Sequence, residues 1–310
     1  MKHILKHKTL WASLAIVLAV FLWGMSFVSM KIVITAGLPP FTMITLRYLI
    51  VSAVMIIGFL MLKNKLNWKT LLKDQALFFW SGAIGITAYF LFEAKGIELT
   101  TASSASIIIA MVPVFSLFAD WFFFKKRPGW FQLMGIGVSI VGVWLIFQST
   151  LSPLETASNP MLGNLLMLGA CFCWVGYSVL SKNLLKTYNS FHITAIQSFY
   201  GTLLFIPFAL IESTAWIPVS GMVWLHLLYL ALLCSIFAYY LYNIALKHLG
   251  ITIVSVYVNL IPVVGVLGGF LILKEPLLPI QAIGGLLIIS SLFLVNQKPR
   301  SSFVESTLKQ

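Results

Sequence analysis

The chain has 310 residues, 60% of them apolar and only 9% charged, with a mean hydropathy of +0.99. A soluble globular domain carries about 25% charged residues, so a soluble enzyme, a disordered chain and a disulfide-rich secreted scaffold are all excluded, and the composition is that of a membrane protein. The net charge of +12, from 20 Lys and Arg against 8 Asp and Glu, would suggest nucleic acid in a soluble protein, but in a membrane chain its meaning depends on where the charges fall.

A helix needs about 20 apolar residues to cross a hydrocarbon core. Ten runs of that kind follow one another, which predicts an all-α integral membrane fold of ten transmembrane helices. The first, residues 10–31, contains Trp23 and ends on Lys31. It follows Lys2, Lys6 and Lys8 as a signal peptide would, but it is too long for a signal h-region and lacks a small-x-small cleavage site, so it is read as a retained helix. Residues 40–62 carry Arg47, 75–97 carry Tyr89 and Glu93, 101–123 carry Pro113 and Asp120, and 130–147 close the first half. Residues 163–180 then carry Trp174, 193–211 Gln197, 223–246 Tyr239 and Asn243, and 251–273 Asn259 and Pro262, before a last run at 277–295. Cys171, Cys173 and Cys234 lie inside apolar runs and read as packing residues.

With the N-terminus in the cytoplasm, sixteen of the twenty basic residues fall in inner loops and tails, and the outer segment 148–160 has none. The positive-inside rule therefore predicts cytoplasmic termini in a multi-pass plasma membrane protein. The basic excess is thereby explained by orientation, and nucleic acid is not expected as a partner.

Shifting the chain by 150 residues aligns Ala88-Tyr89-Phe90-Leu91 with Ala238-Tyr239-Tyr240-Leu241, and a shift of 149 aligns Pro113 with Pro262, Gln132 with Gln281 and Gly135 with Gly284. Trp23 precedes Lys31 by eight residues, as Trp174 precedes Lys182. Five spans per copy force the second copy to enter the membrane from the opposite side, giving two inverted repeats at 1–150 and 151–297 and a short cytoplasmic tail at 298–310. With Arg47 early in the second span and the Lys274-Glu275-Pro276 junction ahead of Gln281 and Gly284, these features resemble the drug/metabolite transporter superfamily, specifically its ten-helix EamA-type members. The resemblance implies an exporter or facilitator of small metabolites, often amino acids or amphipathic solutes, with a cavity between the repeats. It also marks a departure, since Lys126 stands where the first copy of the Glu275 junction commonly has an acidic residue.

A charge within a span costs at least about 2.5 kcal/mol at the bilayer centre, which makes Arg47 and Glu93 candidates for substrate binding or coupling. Arg47 or Lys31 would hold a substrate carboxylate, and Glu93 would balance them or accept a proton; the alternative is a snorkelling Lys31 and a structural Arg47–Glu93 pair. Trp23, Trp174, Tyr89, Tyr239, Asn243, Gln197 and Asn259 offer aromatic faces and hydrogen-bonding groups at membrane depth, for a cavity or for ordinary helix packing. Pro113 and Pro262 are candidates for gating kinks. Asp120 reads as an interfacial charge, Glu275 as the cap of the tenth helix, and the Gly265/Gly269 spacing as close helix packing.

The function expected is a secondary transporter working by alternating access, with a small-molecule substrate, the lipid bilayer and, where flux is coupled, protons as partners. No cofactor or metal motif is present, no phosphate-binding loop supplies ATP drive, and the five scattered histidines match no catalytic motif. An intramembrane enzyme and a non-transporting sensor are the alternatives.

Overall fold

The computed structural model describes residues 2–61, 68–124, 128–149, 157–212, 220–249, 257–258 and 260–295, and among them the chain is helix and short turns with no strand. In order these are α1 (Lys2–Thr35), α2 (Pro40–Met61), α3 (Trp68–Lys73), α4 (Gln75–Gly82), α5 (Tyr89–Leu99), α6 (Ala102–Ile109) and α7 (Val112–Phe124). Then follow α8 (Trp130–Ser149), α9 (Pro160–Leu184), α10 (Ser190–Ile211), α11 (Gly221–Leu228), α12 (Ala238–Leu249), α13 (Ile261–Ile272) and α14 (Pro279–Val295). Two π-helical stretches, Ala83–Ala88 and Tyr229–Phe237, join α4 to α5 and α11 to α12 without a break. Among the described residues, seven helices are long and apolar enough to cross a membrane, and three shorter apolar ones are Ala102–Phe118, Ile261–Ile272 and Pro279–Ser291.

Local sequence explains where the helices begin. Thr101, Asn159 and Asn189 each accept the backbone N–H three residues on, with Pro160 in the first turn of α9, so one unpaired amide each of α6, α9 and α10 finds a side-chain partner. Pro113 and Pro262 both fall in the first turn of a helical segment, Pro113 just after the Ala110–Met111 turn that separates α6 from α7. There a missing N–H costs little, and Pro113 stands at the break between α6 and α7 within the apolar run 101–123. Pro207, inside α10, is the interior proline among the described helices. Large apolar side chains such as Phe122 and Ile211 point outward at 84% and 83% exposure, as lipid contact requires.

The helices pair in a regular way. α8 packs along α14, α2 along α10 and α6 along α13, while α5 against α9 is matched by α1 against α12. Small and hydroxyl residues line these contacts: Ser52 bonds Thr202 at 3.0 Å between α2 and α10, and Ser139 bonds Ser291 at 2.5 Å between α8 and α14.

Candidate functional site

At the centre of the molecule, an aromatic cluster joins residues 150 positions apart. Trp23 of α1 meets Trp174 of α9 edge-on at 6.3 Å, and Tyr239 lies 5.3 Å from Trp23 and 6.2 Å from Trp174. Tyr89, the counterpart of Tyr239, is 5.4 Å from Trp174, and Tyr242 and Tyr177 complete the group beside Trp23 and Trp174. The Trp23 Nε1–H donates to the Cys234 carbonyl at 3.0 Å, which fixes the indole against the second π-helical stretch. Trp23–Trp174 and Trp23–Tyr239 are edge-on and the other pairs tilted; edge-on pairs are worth about 0.5–1.5 kcal/mol each beyond the area they bury, which helps hold these rings together as an aromatic platform.

Arg47 and Glu93 stand beside this platform, each 4% exposed. The Arg47 Nε–H donates to Ser235 Oγ at 2.8 Å, its Nη1 faces Met30 Sδ at 3.8 Å, and its guanidinium lies 4.8 Å from the Phe90 ring and 5.7 Å from that of Tyr48. Glu93 Oε1 accepts from the Tyr89 hydroxyl at 2.7 Å. The two charges do not pair: among the described residues no carboxylate lies within 4.0 Å of Arg47, and no cation within that distance of Glu93. Arg47 is thus partnered by aromatic faces, a hydroxyl and a thioether and not by a carboxylate among the described residues.

Gln197 occupies the position in α10 that Arg47 holds in α2, and is 1% exposed. Its Nε2 donates to Ser81 and Ser181, both at 3.0 Å, and its Oε1 accepts from Tyr177 at 3.3 Å. Between Gln197 and Ser235 runs a cleft of about 20 Å³, bordered also by Tyr48, Tyr177, Ser198 and Tyr239. A water needs about 10–15 Å³ on this measure, so the cleft admits one or two waters and nothing larger. Gly85 forms part of its wall, because a Cβ there would collide with the Tyr177 ring. The π-helical stretches border it from both sides, and such bulges gather at functional sites because they re-aim side chains within a helix.

Lys31 stands apart from this group. Its Nζ donates to the carbonyls of Ile97, Glu98 and Thr100 at 2.8, 3.1 and 2.5 Å, closing the C-terminal end of α5. Glu275 corrects the expectation made for it: it caps not the helix it precedes, α14, but α6, where its carboxylate accepts from Ala102 N, Ser103 N and Ser103 Oγ. The turn through Lys274 and Pro276 points the side chain away from α14. Gly265 and Gly269 bring α13 onto Ser106 and Ser103 of α6, as their spacing suggested. Asn259 and the side chains of Asn243 and Asp120 lie outside the described residues.

Several residues escaped the sequence reading. Ser235 binds Arg47 from within the second π-helical stretch, where α-helical spacing gives no signal. Tyr177 and Tyr242 follow Trp174 and Tyr239 by three residues, hence on the same helical face, a spacing that would have singled them out. Glu212 gave no such signal, because its counterpart 150 residues earlier is Leu62. At the far end of the molecule, Tyr188 in the turn after α9 donates to Asp74 at 3.0 Å; burial and that carboxylate push its hydroxyl up to about 12, so it keeps its proton.

Comparison with known proteins agrees with this architecture. The EamA-like transporter family matches residues 10–148 and again 161–297. An uncharacterized transporter of Archaeoglobus fulgidus is 32% identical, over 92% of this chain and 97% of its own length. A protein of Escherichia coli strain K12 named a probable amino-acid metabolite efflux pump is 27% identical, over 89% and 92%. A solved crystal structure shares the fold at a TM-score of 0.62 and 18% identity, covering 94% of this chain and 98% of its own. The double match across nearly the whole length shows that the chain belongs to the EamA-like transporter family.

Proposed function

We propose that the chain is a secondary transporter that exports amino acids or related amphipathic solutes by alternating access. The observation that carries this reading is the pair of buried, mutually unpaired charges, Arg47 and Glu93, beside an aromatic platform at the centre of a membrane protein. Arg47 would take the carboxylate of a substrate, since a guanidinium offers an anion several parallel donors. Glu93 would face the ammonium group or carry a coupling proton, and Trp23, Trp174 and Tyr239 would receive the apolar part. The name of the Escherichia coli relative supports this substrate class.

Alternating access follows from the proposed symmetry. The seven long and three short apolar helices would make ten crossings, in two inverted five-helix repeats at 1–150 and 151–297, with the tail at 298–310. Supporting this are the family's match to each half, the meeting of Trp23 with Trp174 and of Ser52 with Thr202, and the paired helix contacts. Two halves that exchange conformations open the site to each side in turn. The near-absence of space in the central cleft fits a closed intermediate of that cycle. The basic residues would hold both termini in the cytoplasm of the plasma membrane, which places the end that bears Lys31 outside.

The reading is tested by reconstituting the protein in liposomes and screening amino acids, amines and cationic drugs for counterflow. It expects accumulation of at least one zwitterionic amino acid above protein-free vesicles. Folded protein that moves no solute of any of these classes would overturn it.

A further inference from the structure

Two carboxylates of the second half reach into the first half at the Lys31 end, and the central site uses neither. Glu275 Oε1 accepts from Ala102 N at 2.8 Å, and its Oε2 from Ser103 N at 3.0 Å and Ser103 Oγ at 2.7 Å. Glu212 Oε1 accepts from Phe41 N at 3.0 Å, and its Oε2 from Thr42 N at 2.6 Å and Thr42 Oγ1 at 2.9 Å. Each carboxylate thus satisfies two otherwise unpaired amides at a helix N-terminus, α6 in one case and α2 in the other, where the helix dipole favours an anion. Bonds to an ionised acceptor are about twice as strong as neutral ones.

The backbone is shaped for the Glu275 contact. Lys274 adopts φ 58°, a left-handed conformation that a side chain disfavours, and this turn aims Glu275 at α6 while its N–H donates to the Gly269 carbonyl at 3.1 Å. Gly269 leaves the space in which Ser103 Oγ and the Glu275 carboxylate meet; a Cβ there would collide with both. The positions corresponding to Glu275 and Glu212 in the first half are Lys126 and Leu62, so the sequence places no carboxylate at either. Toward the opposite end, the described contacts between halves are fewer: one carboxylate, Asp74, accepts a single bond from the Tyr188 hydroxyl, and neutral bonds run from Gln75 Nε2 to the Tyr200 hydroxyl at 3.1 Å and from Gln197 Nε2 to Ser81.

We infer that Glu212 and Glu275 are the latch of the outer gate. They hold the outer ends of α2 and α6 to the second half and must let go for the site to open outward, whereas among the described residues a single carboxylate bond, from the Tyr188 hydroxyl to Asp74, ties the halves at the inner end. The inference rests on the proposed transport cycle and topology, and its test needs no substrate.

In a chain whose three native cysteines are replaced by alanine, single reporters Ser26→Cys and Ser198→Cys flank the centre on its outer and inner sides. Proteoliposomes are then labelled with an impermeant maleimide from either face. Glu275→Gln and Glu212→Gln should each raise outer labelling of the Ser26 reporter and lower inner labelling of the Ser198 reporter, changing the ratio of the two rates by roughly tenfold. Unchanged rates, or a rise from both faces together, would overturn the latch, because a cap that merely stabilises the fold loosens both sides alike. Should a Gln variant fail to fold, Ser103→Ala removes one bond of the three and should shift the ratio the same way by a smaller factor; no shift would again overturn it. A reciprocal shift in a protein that moves no solute would leave the latch standing and the transport reading refuted.

Discussion

Glu93 and Tyr89 sit one helical turn apart, and their hydrogen bond of 2.7 Å holds the carboxylate toward the aromatic platform. On the proposed reading the Glu93 side chain serves the substrate, while Arg47 bonds Ser235, so Glu93→Ala should abolish counterflow with insertion retained. Tyr89→Phe removes a hydrogen bond to a carboxyl group and should lower transport by roughly 10- to 100-fold, in line with about 1.5–3 kcal/mol for such a bond. Both are measured as initial counterflow rates normalised to folded protein; wild-type flux in Glu93→Ala would return that residue to a structural role. At this scale the sequence was informative wherever a charge stood alone in an apolar run, which is why Arg47 and Glu93 are legible without a structure. Lys31 shows the limit of that rule, because its charge is spent on three carbonyls of α5, a long-range contact that no local pattern announces.

The π-helical stretches are the local departures that shape the site. Each places an additional residue in a turn, so Thr87 and Ser235 face across to α10 and α2, where Thr87 donates to the Gly201 carbonyl at 3.3 Å and Ser235 receives Arg47. Period-3.6 reasoning hides this, because the apolar composition of Ala83–Ala88 and Tyr229–Phe237 is the same in an α- or a π-helix. Gly85→Ala should therefore be felt. The added methyl would press on the Tyr177 ring, and overpacking of this sort costs about 1–3 kcal/mol, to be read as a lowered melting temperature in detergent against wild type. A melting temperature equal to wild type would mean that Tyr177 is free to move aside. The span ends, in contrast, were legible to within a few residues, since Pro40, Gln75 and Trp130 begin helices where the apolar runs begin.

For the whole molecule, length and composition carried much of the fold: among the described residues seven of the apolar runs became helices long enough to cross a membrane, and an offset of about 150 became contacts between like residues at the centre. The contacts between halves were the illegible part, because Glu212, Glu275 and Ser235 find their partners more than 170 residues away. Orientation is a separate matter and has its own test. A reporter fused at Glu155, in the segment without basic residues, should be found on the outer face, whereas a cytoplasmic signal would reverse the topology. The most direct test of the central claim is the counterflow of one zwitterionic amino acid into liposomes bearing either the wild-type protein or Arg47→Ala, with insertion of both verified. Accumulation by the wild type, reduced by about 10- to 100-fold in Arg47→Ala, is the result expected from the loss of a charge-assisted contact to the carboxylate. Equal accumulation by the two proteins would contradict it.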